Sequence, residues 1–342
     1  MKAAVCDHYG PPEVVTIKDV PMPDVGAGDV LIRVTTTAVN IADARLRALR
    51  VPRGLSIPTR LAMGIFGPRH PILGLEVAGV VERVGASVRS FKAGDRVVAS
   101  RGFELGGHAE FMVVNETGAI ATIPADVSDA DAVAVLFGGV TALTFFELAK
   151  LRAGEQLLVN GASGAVGVMA VQLAKQRGAE VTGVCSAANA ELVRSLGAAH
   201  VIDYVAQDFT KAATRYDLIM DNVGNAPYSK IRQLLKPSGR FLMVIGDLPQ
   251  MLAATWQKNV VSANQPDNAF SARNYRLLLD MVGAGQLRAV IDRSFPFERI
   301  VEAYRLVDSG HKRGSVIITV NESTSAPAQR EHAEPGGLTQ SA

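Results

Sequence analysis

Apolar and polar positions fall into two textures along the chain. Over roughly the first 120 residues, short apolar runs broken by Gly and Pro predict strands at 1–5, 13–19, 29–39, 77–84, 96–100 and 109–114, a β-rich unit. From about Pro124 the pattern changes to helical periods alternating with apolar runs, which predicts a parallel sheet wrapped by helices. Helical segments at 131–150, around Gly138-Gly139, precede a strand at 156–160, a helix at 164–177, a strand at 181–185 and a helix at 188–196. Strands at 200–203 and 216–221, a helix at 227–235 and a strand at 240–245 follow, the order a doubly wound fold requires. A helix at 271–282, a strand near Val290, a helix at 298–307 and a strand at 315–320 are then available to rejoin the β-rich unit. From 321 to 342 the chain is rich in Ser, Pro, Gly, Gln and Glu with little apolar periodicity, and a disordered tail is expected.

Composition narrows the class. With 342 residues, 48% hydrophobic and 20% charged, the chain has the make-up of an ordinary globular protein with room for two domains. Its 35 basic and 33 acidic side chains leave a charge of +2, without the basic footprint of a nucleic-acid binder. The two cysteines, Cys6 and Cys185, make neither a disulfide framework nor a four-cysteine metal lobe, and they point to a reducing compartment. The start lacks a long apolar core behind its lysine, so the cytoplasm is the expected location, with no membrane partner. Residues 156–174 run for 19 positions without charge, but Asn160, Ser163, Gln172 and three glycines argue against a membrane span. Within the β-rich unit, 41–70 carries Arg45, Arg47, Arg50, Arg53, Arg60 and Arg69 against Asp43. That stretch reads as a solvated loop surface, with an anion or substrate lid as the alternative.

The most informative segment is 157–167, with Gly161, Gly164 and Gly167 between a predicted strand and a predicted helix, where a dinucleotide-binding turn belongs. Gly164 would let the backbone approach a pyrophosphate, Gly167 would let the helix pack close to the strand, and the helix-start amides would face the phosphate charge. Ala162 stands at the first glycine position of that pattern, which suits a turn with no positive φ there. Behind the turn, Val166, Met169, Ala170, Leu173 and Ala174 recur at helical spacing and read as core, with Gln172, Lys175 and Gln176 on the other side. An acid closing the next strand would accept from the adenosine ribose of NAD, yet this strand ends Gly183-Val184-Cys185-Ser186. The missing carboxylate favours NADP(H), with Asn189 and Tyr204 as candidate donors to the 2′-phosphate, although 186–190 holds no Arg or Lys.

These residues, with 71–81, Val84-Gly85, 91–97, 196–198, 200–204, 221–224 and 311–316, resemble the medium-chain dehydrogenase/reductase superfamily in its zinc-independent quinone oxidoreductase-like branch. The resemblance runs from Met1 to about Val320. It implies an α/β protein in which a GroES-like β-rich catalytic domain (1–123 and 265–320) carries an inserted doubly wound Rossmann domain (124–264) that binds NADP(H). Implied cofactor contacts fall on Thr141, Ser163, Gly164, Ala165, Val166, Ser186, Tyr204, Asn222, Ile245 and Arg313, and the family's active-site asparagine on Asn40. Zinc-bearing relatives place a cysteine where Asn40 stands and a histidine at Leu75, and 101–108 replaces their four-cysteine lobe. Amide and apolar side chains do not hold Zn²⁺ in N/S coordination, so no metal is expected. Two departures stand out. Ala165 replaces the usual second glycine of the turn, and Arg45 stands where some quinone reductases carry a tyrosine, so their substrates do not carry over.

The activity implied is NADPH-dependent hydride transfer to a quinone or an α,β-unsaturated carbonyl compound in the cleft between domains, without a metal Lewis acid. Asn40 is the candidate donor or nicotinamide positioner, and a helix cap is its plainer role. His70 and His108 read as exposed or structural, which leaves solvent as the proton source. Rival readings are an NADPH-binding regulatory or interaction protein with little turnover, and a trans-acting enoyl reductase that prefers thioesters. Edge strands of the parallel sheet make a homodimer the family expectation, and the loops at 45–69 and 246–266 are where the substrate would be read.

Overall fold

The computed structural model describes residues 1–262 and 269–321, so the tail expected from 321 lies, past Asn321, outside the described residues. Strands β1 (Lys2–Cys6) and β2 (Val15–Asp19) form an antiparallel pair. Then come β3 (Asp29–Ala38), the helices α1 (Ile41–Ala48) and α2 (Ser56–Met63), and β4 (Glu76–Val84), β5 (Arg96–Ser100), β6 (Phe111–Asn115) and β7 (Ala119–Thr122). β3 is apolar and β-branched along nearly its whole length because it is a central strand, paired with β4 and β6. The solvated loop expected at 41–70 is instead two helices, and β7 lies beyond the strands the sequence marked.

Helix α3 (Asp129–Ala149) is one continuous helix of 21 residues where the sequence suggests segments around Gly138-Gly139. Those glycines are contact points, not breaks. A Cβ on Gly138 would lie 2.1 Å from the Ala165 carbonyl oxygen, and one on Gly139 would lie 2.7 Å from a Leu278 methyl. Ser128 starts the helix by accepting from the Asp131 amide. α3 is long and apolar enough to cross a membrane, but it is buried over most of its length as a core helix.

The next stretch builds β8 (Gln156–Asn160), α4 (Ala165–Gln176), β9 (Glu180–Cys185), α5 (Ala190–Ser195), β10 (His200–Asp203) and β11 (Tyr216–Asp221). It continues with α6 (Tyr228–Ile231), β12 (Leu235–Met243), α7 (Leu248–Ala254) and β13 (Val260–Ser262). The six strands are parallel in the order β10-β9-β8-β11-β12-β13. Connections run one way from β8 toward β10 and the other way from β11 toward β13, which opens a crevice at the carboxyl ends of β8 and β11. On α4, Gln172 is buried, not exposed as its spacing suggests: its amide donates to the Arg288 carbonyl (3.0 Å) and accepts from the Arg288 amide (2.8 Å).

The chain then returns to the first sheet through α8 (Ala272–Gly283), β14 (Ile291–Pro296), α9 (Ile300–Asp308) and β15 (Ser315–Thr319). β15 pairs antiparallel with β3 and parallel with β14, giving the order β14-β15-β3-β4-β5-β7 with β6 on β3. One buried apolar cluster runs from Ala38, Ala78, Val98 and Ile317 through Val133, Leu136 and Val140 of α3 to Val159, Met169 and Leu218. The two sheets are thereby packed onto a shared helix, and the crevice lies between them.

Candidate functional site

The turn after β8 is built for close approach. Gly161 takes the left-handed conformation (φ 76°) and Ala162 does not, so the alanine at the first glycine position is unstrained. The amides of Gly161 and Ala162 both donate to the Val184 carbonyl (3.1 and 3.0 Å), tying the turn to β9. A Cβ on Gly167 would lie 2.1 Å from the Gly161 oxygen, so helix and strand meet there backbone to backbone. Gly164 is different: its Cβ position has only the Gly161 oxygen near it, at 3.6 Å. Gly164 is the N-cap of α4, and no side chain caps the helix. The amides of Ala165, Val166 and Gly167, which the helix itself cannot pair, therefore remain available to an anion at an open, side-chain-free approach. The Val166 side chain is half-buried beside the core face formed by Met169, Ala170, Leu173 and Ala174.

The chain's return closes the turn from the other side. The Gly314 amide donates to the Ser163 carbonyl (2.8 Å), and Gly164 and Gly314 form an isolated parallel bridge. Arg313 is therefore beside the turn; its amide donates to Asp292 (3.0 Å), and its half-exposed guanidinium lies 3.9 Å from the same carboxylate. Lys312 reaches back to the Gly314 carbonyl, and burial lowers its pKa to about 8 against the opposing pull of Asp292. Thr141, on α3, donates its hydroxyl to the Phe137 carbonyl (2.7 Å) within its own helix.

At the end of β9, Asn189 donates to the hydroxyls of both Ser163 (3.2 Å) and Ser186 (3.3 Å). The Cys185–Asp203 register sets Tyr204 beside Ser186, and the Tyr204 ring stands half exposed on the rim. On the other side of β8, Asp221 organises the loop that follows it. Its buried carboxylate accepts from the amides of Val223, Gly224 and Ala226 and from Asn160 Nδ2. Asn222 donates to the Asn160 carbonyl (3.1 Å), while its buried Oδ1 has no partner among the described residues. Ile245 packs on Gly224, completing this wall. Sequence reasoning used Asp221 only as part of a match; a buried acid closing an apolar strand was the signal of its structural work.

The facing wall comes from β4 and α1. Asn40 is the N-cap of α1 and only 2% exposed; its amide N–H donates to Asp43 (2.9 Å) and its Nδ2 to Glu76 Oε2 (3.2 Å). The helix-start role weighed for Asn40 is thus occupied, and the side chain serves a buried carboxyl group. Glu76, missed at the sequence level although it is a lone acid in an apolar run, is fully buried with Oε1 unpartnered among the described residues. Burial holds its carboxyl group well above the usual range; the Asn40 amide opposes this and Asp43 adds to it. Asp43 is buried as well, accepting from the amides of Asn40 and Gly74. His108 bonds the Ala38 carbonyl and the Tyr304 hydroxyl inside the core, a structural role, and His70 is exposed. Leu75 is buried, and the two thiols sit in separate cores, with burial pushing Cys6 up to about 11. Among the described residues no cluster of three His, Cys, Asp or Glu side chains could hold a metal ion.

Comparison with known proteins matches residues 26–125 to the alcohol dehydrogenase GroES-like domain and residues 196–318 to a family described as zinc-binding dehydrogenase. The Homo sapiens NAD(P)H oxidoreductase RTN4IP1, mitochondrial, is 30% identical over 94% of this chain and 89% of its own length. The chloroplastic quinone-oxidoreductase QR1 of Triphysaria versicolor is 31% identical over 93% of this chain and 98% of its own. Among solved structures, the quinone oxidoreductase from Coxiella burnetii aligns with a TM-score of 0.83 at 27% identity, covering 94% of this chain and 99% of that one.

Proposed function

Because the chain belongs to the medium-chain dehydrogenase/reductase superfamily, in its quinone oxidoreductase-like branch, we propose that it is a zinc-independent NADPH-dependent reductase acting on quinones or α,β-unsaturated carbonyl compounds. The observation that carries the reading is the open cradle at Gly164, with uncapped helix amides on one side and Gly314 bonded across the other. The residues present fit a dinucleotide. The amides of Ala165 and Val166 would hold the pyrophosphate, and the orphaned Asn222 Oδ1 would accept from a ribose hydroxyl. When bound, reduced nicotinamide supplies the hydride.

The rim of Ser186, Asn189 and Tyr204 favours a 2′-phosphate over a free ribose, since no carboxylate closes β9 and the hydroxyl and amide groups there can donate. Asn40 acts as a positioning residue, fixing the wall opposite the cofactor through Glu76 and the start of α1. A zinc ion does not fit this wall: an amide and a leucine stand at the positions where metal-dependent relatives would need a thiolate and an imidazole. An acceptor that is already electron-poor is compatible with such a site, because well-placed donors suffice to meet the developing enolate or phenolate oxygen.

The test follows NADPH and NADH oxidation with a panel of quinones, enals and enoyl thioesters, with and without chelator. We expect turnover with a quinone or an enal, a preference for NADPH of roughly tenfold or more in kcat/KM, and no loss on chelation. Tight NADPH binding without oxidation by any acceptor would replace this reading with a regulatory cofactor-binding protein. A preference for NADH would overturn the argument from the β9 end.

A further inference from the structure

The six arginines of 41–70 have separate fates. Arg47 is fully buried, donating to the Gly10 carbonyl (3.0 Å) and to Asp308 (2.6 Å), with its guanidinium over the Tyr304 ring. Arg60 and Arg69 brace the α2 region through the carbonyls of Ile65 and Leu61. Arg50 pairs with Asp308, which it shares with Arg47. Arg45 and Arg53 have no acidic partner among the described residues. Together Arg45, Arg50 and Arg53 line a cleft of about 470 Å³ whose other wall includes Val223, Gly224 and Ile245. Asp247 also lines it, but its carboxylate is engaged at the start of α7, accepting from the Gln250 amide (2.9 Å).

The location decides which anion these side chains can meet. Ser186 closes β9, on one side of β8, whereas Val223, Gly224 and Ile245 follow β11 and β12 on the other. A dinucleotide laid across β8 with its adenosine at β9 presents its reacting end toward β11 and β12. The arginines therefore face the acceptor, not the 2′-phosphate. Arg45, held partly out of water, and the exposed Arg53, both without an acidic partner among the described residues, form a ready site for a phosphate or carboxylate, which each can grip in the plane of its fork. Burial of Arg45, and then the neighbouring Arg50, lower the pKa of Arg45, the signature of a cation short of a partner.

We propose that the acceptor carries an anionic arm, a phosphate or carboxylate remote from its electron-poor double bond, gripped by Arg45 and Arg53 with Arg50 beside them; this rests on the reductase reading above. Two matched pairs of probes test it: crotonyl-coenzyme A against S-crotonyl-N-acetylcysteamine, and 6-oxo-4-heptenoate, whose carboxylate is two methylenes away from the enone, against its methyl ester. We expect the charged member of at least one pair to exceed its neutral partner by roughly tenfold in kcat/KM at low salt, with the advantage shrinking as salt screens it. The phosphorylated and carboxylated pairs separate the two sources of charge. In the double variant Arg45→Met, Arg53→Met the ratio is expected to fall toward one. Equal use of charged and neutral members by the wild type would overturn the proposal and leave the reductase reading standing. Loss of NADPH affinity in the double variant, with the acceptor ratio unchanged, would assign the arginines to the cofactor and also overturn it. If no probe is reduced, the quinone and enal panel above still decides the reductase reading, and calorimetric titration with crotonyl-coenzyme A decides the site. Salt-sensitive binding lost in the double variant supports it, and its absence ends it.

Discussion

Glu76 shows how much a single position can hide. In the sequence it is a lone acid within a run of aliphatic residues. In the fold it is fully buried, and β3–β4 pairing brings it to Asn40, with the Thr37 hydroxyl donating to its backbone carbonyl (2.7 Å). Periodicity marks such an acid as anomalous but does not name its partner, because the partner arrives through a strand pairing that spans a loop and two helices. Burial, opposed by Asn40 and reinforced by Asp43, raises its pKa well above 4.5. The folded protein then keeps a proton that the unfolded chain releases above about pH 4.5, so this stability contribution is full below that pH and declines as pH rises toward the folded pKa. Glu76→Gln keeps an acceptor for Asn40 and removes the ionisation. Its thermal unfolding should match the wild type near pH 4 and exceed it at pH 8 by on the order of 1 kcal/mol. Wild-type and variant curves that run parallel across this range would acquit Glu76. Asn40 itself was legible as a helix start, whereas the surroundings of Thr141, whose hydroxyl donates to the Phe137 carbonyl, and of Arg313, which lies near Asp292, depend on contacts that no local pattern shows.

Elements whose signals are local were readable. The β8–turn–α4 unit is a strand, a glycine-rich turn and a helix in immediate succession, and it forms where the residues indicate. What the pattern does not separate is a glycine that breaks a helix from one that admits a neighbour. Gly138 and Gly139 look like a break in α3 and are instead where α4 and Leu278 come close. In the stretch 246–266, read as a loop, Asp247 and Gln250 form a reciprocal cap that starts α7, and β13 follows it. The arginine run forms two helices whose cations meet carbonyls, an aromatic face and Asp308, partners that no local window contains. The turn also makes opposite demands on two glycines three positions apart. At Gly167 a methyl would collide with backbone at 2.1 Å, so Gly167→Ala should cost about 2–3 kcal/mol of stability. At Gly164, with φ −76° and only one atom near, Gly164→Ala should melt like the wild type yet bind NADPH at least roughly tenfold more weakly. Thermal melts and fluorescence titration of the two variants check both halves, and a Gly164→Ala protein that binds NADPH normally would remove the pyrophosphate from that position.

At the scale of the molecule, the alternation of strands and helices marks a doubly wound sheet and leaves the last elements available to rejoin the first one, and the structure shows both. The coupling between the two halves was not legible there. It depends on α3, whose all-round apolar surface is explained only when both sheets are packed on it, and on Gly314, which reaches the cofactor turn from the far end of the chain. A ligand bound at the turn therefore touches both halves, and a shared core makes them unfold together. NADPH at about 100 times its Kd should stabilise the folded state by about 2.7 kcal/mol. The calorimetric signature expected is a single transition that moves upward as a unit, by a few degrees for a chain of this size. Two transitions, only one of them responding to NADPH, would show that the Gly314 contact and the α3 core do not couple the halves. Chelator added to the same scans should move nothing. A fall in the transition with chelator, reversed by added zinc, would mean that a metal is held by residues other than the Asn40 and Leu75 positions, and the zinc-independent reading would have to be abandoned.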